Sequence, residues 1–191
     1  MDICEPPKKI NIIGTNNKYQ MKKMLNKNDI VEENKKRIVT EKWTFSNEYF
    51  EYNNQFKLVN DILSTQTNNE NIESLNVKKI MIQEITKKIS GYKQQDIIKK
   101  KLDVTNFITF ESVIEKMIEC ELKCRYCNEY MNILYDIKRE VKQWSVDRID
   151  NDLGHNINNF HLACLDCNLK RRRRTDEKFL FTKQLNIVKK M

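Results

Sequence analysis

The chain has 191 residues and a mass of 23.0 kDa, with 39% hydrophobic and 32% charged residues and a mean hydropathy of −0.73. That suits one domain, or one domain with a smaller satellite, around a modest core. With 3 Gly, 2 Pro and a net charge of +8, the composition excludes collagen-like and Gly-rich linker architectures, and no apolar run reaches the ~18–20 residues of a membrane helix.

The 35 basic residues face 27 acidic ones, and the excess lies in both halves of the chain. It suits a polyanion partner as well as it suits solvated lysines. Lys, Asn and Ile number 27, 23 and 22, a bias of AT-rich coding that weakens arguments from residue abundance. The first residues, Met1 to Pro7, contain no signal-like apolar stretch, so the chain is expected to be soluble, intracellular and not secreted.

In chain order, residues 1–28 read as irregular. Residues 29–105 read as a mainly helical region without a chemical motif. Trp43, Phe45, Tyr49, Phe50, Tyr52 and Phe56 can pack a small helical unit or form a base-stacking surface, and packing is the commoner fate. Ser64 to Asn71 reads as a linker. Ile72, Leu75, Ile82, Ile85 and Ile89 recur at helical spacing, with Gly91 placed as a helix stop. A second, basic helix is expected from Gln94 to Leu102. Phe110, Val113, Ile114, Met117, Ile118 and Leu122 form the stripe of another helix, which runs into Cys124.

After Cys127 the pattern changes. Tyr130–Tyr135, Val141–Ile149 and Asn159–Cys164 read as strands, with a turn at Asn151–Gly154. From Asn168 the chain is helix-compatible. Asp176 is placed to cap a last helical piece carrying Phe179, Leu180, Leu185 and Ile187.

Of six cysteines, four form Cys124-x2-Cys127 and Cys164-x2-Cys167. In a reducing compartment two such pairs indicate tetrahedral zinc rather than disulfides. The two-residue gap lets a tight turn aim both sulfurs at one ion. Cys4 and Cys120 are left over, and Cys120 reads as a packed residue.

Between the pairs lies Ser145-Val-Asp-Arg-Ile-Asp-Asn151, then Gly154-His155 and Asn159-Phe-His-Leu-Ala-Cys164, and Cys167 is followed by Asn168-Leu-Lys-Arg171. This combination resembles the zinc-knuckle HNH endonucleases of the ββα-metal superfamily, and is similar to members from large DNA viruses and phages. The likeness covers roughly residues 120–175. Ser90–Asp96 and Phe107–Phe110 resemble viral members more weakly.

The resemblance implies an α+β fold, with a zinc-stapled ββα-metal domain at residues 106–191 behind the helical region. It implies a metal-dependent DNA endonuclease or nickase with DNA as partner, and no membrane or small-molecule cofactor. A viral source would imply host cytoplasm, nucleus or virion. Cys124, Cys127, Cys164 and Cys167 match the structural zinc ligands. Asp147 and Asn168 match the protein ligands of a catalytic Mg²⁺ or Mn²⁺, and Asn159 the residue that fixes the loop. The family's general base follows the metal-binding Asp as a His, whereas this chain has Arg148, which cannot accept a proton at neutral pH. His155, Asp150 and His161 are the candidates to replace it, with His155 in the right loop. Arg148 could instead stabilise charge on phosphorus. The run Lys170, Arg171, Arg172, Arg173, Arg174 reads as a phosphate contact, or else as a solvated patch or localisation signal. The alternative to an enzyme is a non-catalytic nucleic-acid-binding zinc module.

Overall fold

The computed structural model describes residues 35–63 and 71–185. The chain divides into two compact units, Met1–Lys35 and Lys36–Met191. Of the first, only Lys35 is described. The expected irregular segment 1–28, most of the Ser64–Asn71 stretch and Ile187 lie outside the described residues.

Two short 3-10 turns, Ile38–Lys42 and Asn47–Phe50, open this unit. Their aromatic neighbours pack together: Trp43 and Phe45 stack at 5.4 Å, and Phe45 meets Phe50 at 5.5 Å, against the main core. Helix α1, Tyr52–Leu63, buries Leu58 and Val59 together with Gln55. Gln55 is buried because its amide is fully used. Its Nε2 donates to Phe50 O (2.9 Å) and Leu134 O (3.2 Å). Its Oε1 accepts the amides of Ile133 and Leu134 at 2.8 and 2.9 Å. This is also why the strand expected over Tyr130–Tyr135 does not form. The backbone groups of Ile133 and Leu134 are taken by this one side chain and the Tyr135 carbonyl by Arg37, leaving isolated bridges at Tyr130 and Asn132.

Helix α2, Ile72–Ile98, is one element where two are expected. Asn71 caps it by accepting from Ser74 N at 2.7 Å. Val77, Met81, Ile85 and Ile89 are buried at four-residue spacing, whereas Ile72 and Leu75 are exposed. Gly91 does not stop the helix. Glycine in a helix interior costs about 1 kcal/mol, and burying each large apolar residue of this stripe returns about 1.5–3 kcal/mol. The stop comes at Lys100, in the left-handed region at φ 54°, where Lys101 N donates to Asp96 O at 2.8 Å.

Helix α3, Phe110–Glu119, starts with a capping box between Thr109 and Ser112 and buries Val113, Ile114 and Met117. Strands β1, Trp144–Arg148, and β2, Phe160–Cys164, pair antiparallel with Asp147 opposite His161. Both are shorter than the patterns suggest. Helix α4, Leu165–Arg171, follows β2 directly with Cys164 at its N-cap, and α5 spans Asp176–Gln184. Thr175, not Asp176, holds the N-cap position of α5. Phe179 is buried there, but Leu185 is exposed. The architecture is thus helices around a two-stranded α+β sheet, the sheet packing on α3, α4 and the four-cysteine region.

Candidate metal centre and adjoining cleft

Two knuckles bring the four cysteines together. In the first, Asn128 takes the left-handed conformation at φ 58°, which lets its amide bond back to Cys124 O at 3.0 Å. Cys124 N donates to Glu129 O, and Arg125 N ties the turn to β2 through Leu162 O at 3.0 Å. In the second, the amides of Leu165 and Asp166 at the start of α4 donate to Gln143 O and Val141 O. The four sulfurs lie within 4.8 Å of one another. Cys127 and Cys164 Sγ are 3.9 Å apart, against an edge of about 3.8 Å for a tetrahedron of zinc–sulfur bonds. The cluster could hold a metal ion such as zinc. Hydrogen bonding from Cys164 holds the Cys124 thiol below its usual range, while burial pushes Cys167 up, and a bound cation would favour the thiolate form of all four. Cys120 sits outside the cluster, half-buried against the core.

Beside this centre a cleft of about 690 Å³ opens between α2 and the sheet–helix unit. Asp147, His155 and Asn168 all line it. Lys87 and Lys88 of α2 and Lys99 just after it form one wall, and Arg148 and Arg172 belong to the other. Burial lowers the Lys88 ammonium to about 7, and its Nζ donates to Trp144 O beside the Trp144 ring.

Asp147 is buried and already bonded. Its Oδ2 accepts from Tyr126 Oη at 2.5 Å, and its Oδ1 takes Arg171 Nη1 at 2.7 Å. Tyr126 Oη also approaches Asp176 Oδ1 at 2.8 Å, so its single proton serves two carboxylates. Burial raises the Asp147 pKa against the pull of Tyr126 and Arg171. Asn168 uses Nδ2 on Ser145 Oγ (3.0 Å) and Val146 O (3.1 Å). That orientation leaves Oδ1 without a protein hydrogen bond among the described residues. A carboxylate and a free amide oxygen on one cleft fit a hard divalent cation in donor chemistry, because each carboxylate oxygen keeps a second lone pair. The cation would share Asp147 with Arg171.

The loop after β1 is held by side chains. Asn159 Oδ1 accepts Asp150 N, and its Nδ2 donates to Asp150 O and Gly154 O, at 2.8 to 3.0 Å. Arg148 Nη1 donates to Leu153 O at 3.0 Å. Asp150 Oδ1 accepts Asp152 N, a turn contact away from the cleft lining. His161 lies opposite Asp147 in the sheet but does not line the cleft, and its nearest acid is Asp176 at 3.7 Å.

The basic run divides. Arg171 is 1% exposed and is not a surface phosphate contact. It holds Asp147 and donates to the carbonyls of Arg148 and Ile149. Lys170 pairs with Asp166, and Arg174 folds back onto Lys170 O and the Phe179 ring. Arg172 and Arg173 remain exposed.

No family model, curated protein or solved structure matches the chain. The functional reading therefore rests on the local motif and this geometry.

Two residues of α2, both within the weakly family-like Ser90–Asp96 stretch, receive no role from the motif reading. Asp96 is completely buried and faces His155, and Tyr92 Oη accepts the amide of Val146 at 2.9 Å. The signal was available: Asp96 falls seven residues after Ile89, on the same buried stripe. A carboxylate at a core-facing helix position calls for a specific partner.

Proposed function

We propose that the chain is a metal-dependent DNA endonuclease or nickase of the HNH type. The observation that supports it is the meeting of His155, Asp147 and Asn168 on one cleft with cationic walls. Asp147 and Asn168 would hold Mg²⁺ or Mn²⁺, which when bound polarises the phosphoryl oxygens and neutralises charge on the leaving oxygen. His155 takes the proton from the attacking water. Burial holds its pKa below the usual imidazole range, so it is neutral and able to accept at pH 7. The new P–O bond forms as the 3′-oxygen leaves and takes a proton from solvent water, giving 5′-phosphate and 3′-hydroxyl ends. The exposed Lys87, Lys99 and Arg172 balance the phosphates flanking the reacting one. Arg148, tied to the loop carbonyls, keeps the His155 loop in place rather than acting as base.

A non-catalytic DNA-binding zinc module is the second reading, favoured by one observation: Asp147 is already bonded by Tyr126 and Arg171. A supercoiled-plasmid nicking assay in Mg²⁺ or Mn²⁺ separates the two. The nuclease reading expects nicking that His155→Ala removes while gel-shift affinity persists. Retardation of DNA without cutting in any divalent metal supports the second reading and overturns the first.

A further inference from the structure

Besides the lysines at the cleft wall, the region before the zinc knuckles brings a carboxylate to the centre of the site. Asp96 Oδ2 accepts the backbone amide of His155 at 2.6 Å, and Oδ1 lies 2.8 Å from Nδ1 of the same residue. Asp96 is 0% exposed and His155 3%, so water does not compete for either contact. The approach is built in from the other side as well. Gly154 lies against the same carboxylate, and any Cβ there would meet Asp96 Oδ2 at 3.0 Å and Lys101 O at 2.3 Å. The Tyr92 ring, one turn earlier on α2, lies 4.7 Å from the imidazole and limits its rotation.

A carboxylate oxygen accepts hydrogen bonds, so the 2.8 Å contact requires the ring proton on Nδ1. Nε2 then carries the lone pair. Asp96 does not line the cleft whereas His155 does, so the ring edge left to the cleft is the one bearing Nε2. We propose that Asp96 is a positioning residue that fixes the Nδ1–H tautomer of His155 and thereby makes Nε2 the proton acceptor of the site. The helical region thus completes the active centre. This rests on the nuclease reading for its catalytic meaning, but the tautomer is measurable without it.

The substitution Asp96→Asn isolates the role. Its side chain keeps the shape of Asp but offers one acceptor and one donor. The backbone amide of His155 claims the carbonyl oxygen, so the NH₂ group faces Nδ1. Nδ1 must then accept, and the proton moves to Nε2, where it blocks the base. The corresponding change in a Ser-His-Asp triad costs ~10⁴-fold in rate. Here plasmid nicking should fall by at least about 100-fold with metal content and affinity for DNA unchanged.

Imidazole ¹⁵N NMR at neutral pH reads the tautomer directly. It should show Nδ1 protonated in the wild type and Nε2 protonated in Asp96→Asn. A wild type protonated on Nε2 overturns the proposal, as does a folded Asp96→Asn protein that nicks within about threefold of wild type. Should the variant not fold, the wild-type spectrum decides alone. Should the wild type cut no DNA in any divalent metal, the nuclease reading falls, while the spectra still decide what Asp96 does.

Discussion

Alanine in place of either of two glycines should act in opposite directions, although both substitutions add one methyl group. At Gly154 the Cβ would sit 2.3 Å from Lys101 O and 3.0 Å from Asp96 Oδ2. A carbon–oxygen contact needs roughly another ångström, and neither neighbour can give way. Lys101 is fixed by the hydrogen bond its backbone N–H donates to Asp96 O at the end of α2, and the Asp96 carboxylate is fixed by His155. Overpacking of this kind costs about 1–3 kcal/mol, and a disturbed buried hydrogen bond adds ~1 kcal/mol. At 2–4 °C per kcal/mol for a unit of this size, Gly154→Ala should melt about 5–15 °C lower. At Gly91 no atom lies within 4 Å of the added Cβ, and the residue is inside α2. Gly91→Ala should gain about 1 kcal/mol from helix propensity and melt a few degrees higher. Thermal unfolding followed by circular dichroism on metal-loaded protein reads both. A Gly154→Ala protein that melts with the wild type, or a Gly91→Ala protein that melts below it, refutes the account of how α2 ends and what it rests against.

Three further outcomes follow from the same contacts. Arg171→Ala should lose about 3–5 kcal/mol, because it strands the buried Asp147, whereas Arg173→Ala should leave stability unchanged and weaken DNA binding in a salt-dependent way; denaturant midpoints and gel shifts at two salt concentrations check both halves. One zinc per chain is expected by elemental analysis, and strong chelation or Cys164→Ser should unfold the knuckles cooperatively, since structural zinc contributes ~10–16 kcal/mol. Stability should fall from pH 7.5 to pH 6: burial lowers both His155 and His161 below 6.5, so the unfolded chain binds more protons as pH drops through that value, and the contribution is complete above it. Urea midpoints that stay level or rise over that interval contradict this sign.

The candidate centre was legible in the sequence because its chemistry is local. Cys124 and Cys127 lie in one turn and Cys164 and Cys167 in another, whereas Asp147, Asn159 and Asn168 came from the resemblance of their local motif to the HNH pattern. What escaped was set by distant partners. The Tyr130–Tyr135 pattern alternates like a strand, but Gln55, more than 70 residues earlier, takes its backbone bonds. Gly91 reads as a stop, but the stripe from Val77 to Ile89 carries the helix through it. Arg171 reads as one of five surface cations, yet helical rotation turns that residue inward to Asp147 while Arg172 and Arg173 stay exposed.

That inward turn decides how the Asp147 variants must be read. Removing the carboxylate as Asp147→Ala would leave Arg171 buried and unpaired, so lost cutting would report lost folding as well as a lost metal ligand. Asp147→Asn puts an oxygen and a nitrogen where the two carboxylate oxygens stand: the oxygen can still accept from Arg171, and the NH₂ group can donate to Tyr126 Oη, whose own proton then goes to Asp176. If Asp147 holds a cation, Asp147→Asn should lower nicking sharply at low Mn²⁺ and recover part of it at high Mn²⁺, because a neutral ligand binds more weakly but still offers an oxygen. If Asp147 serves only to neutralise Arg171, nicking should follow the melting temperature and ignore the metal concentration. The two outcomes differ in a titration curve rather than in a yes-or-no assay, which separates the catalytic use of this carboxylate from its use in the fold.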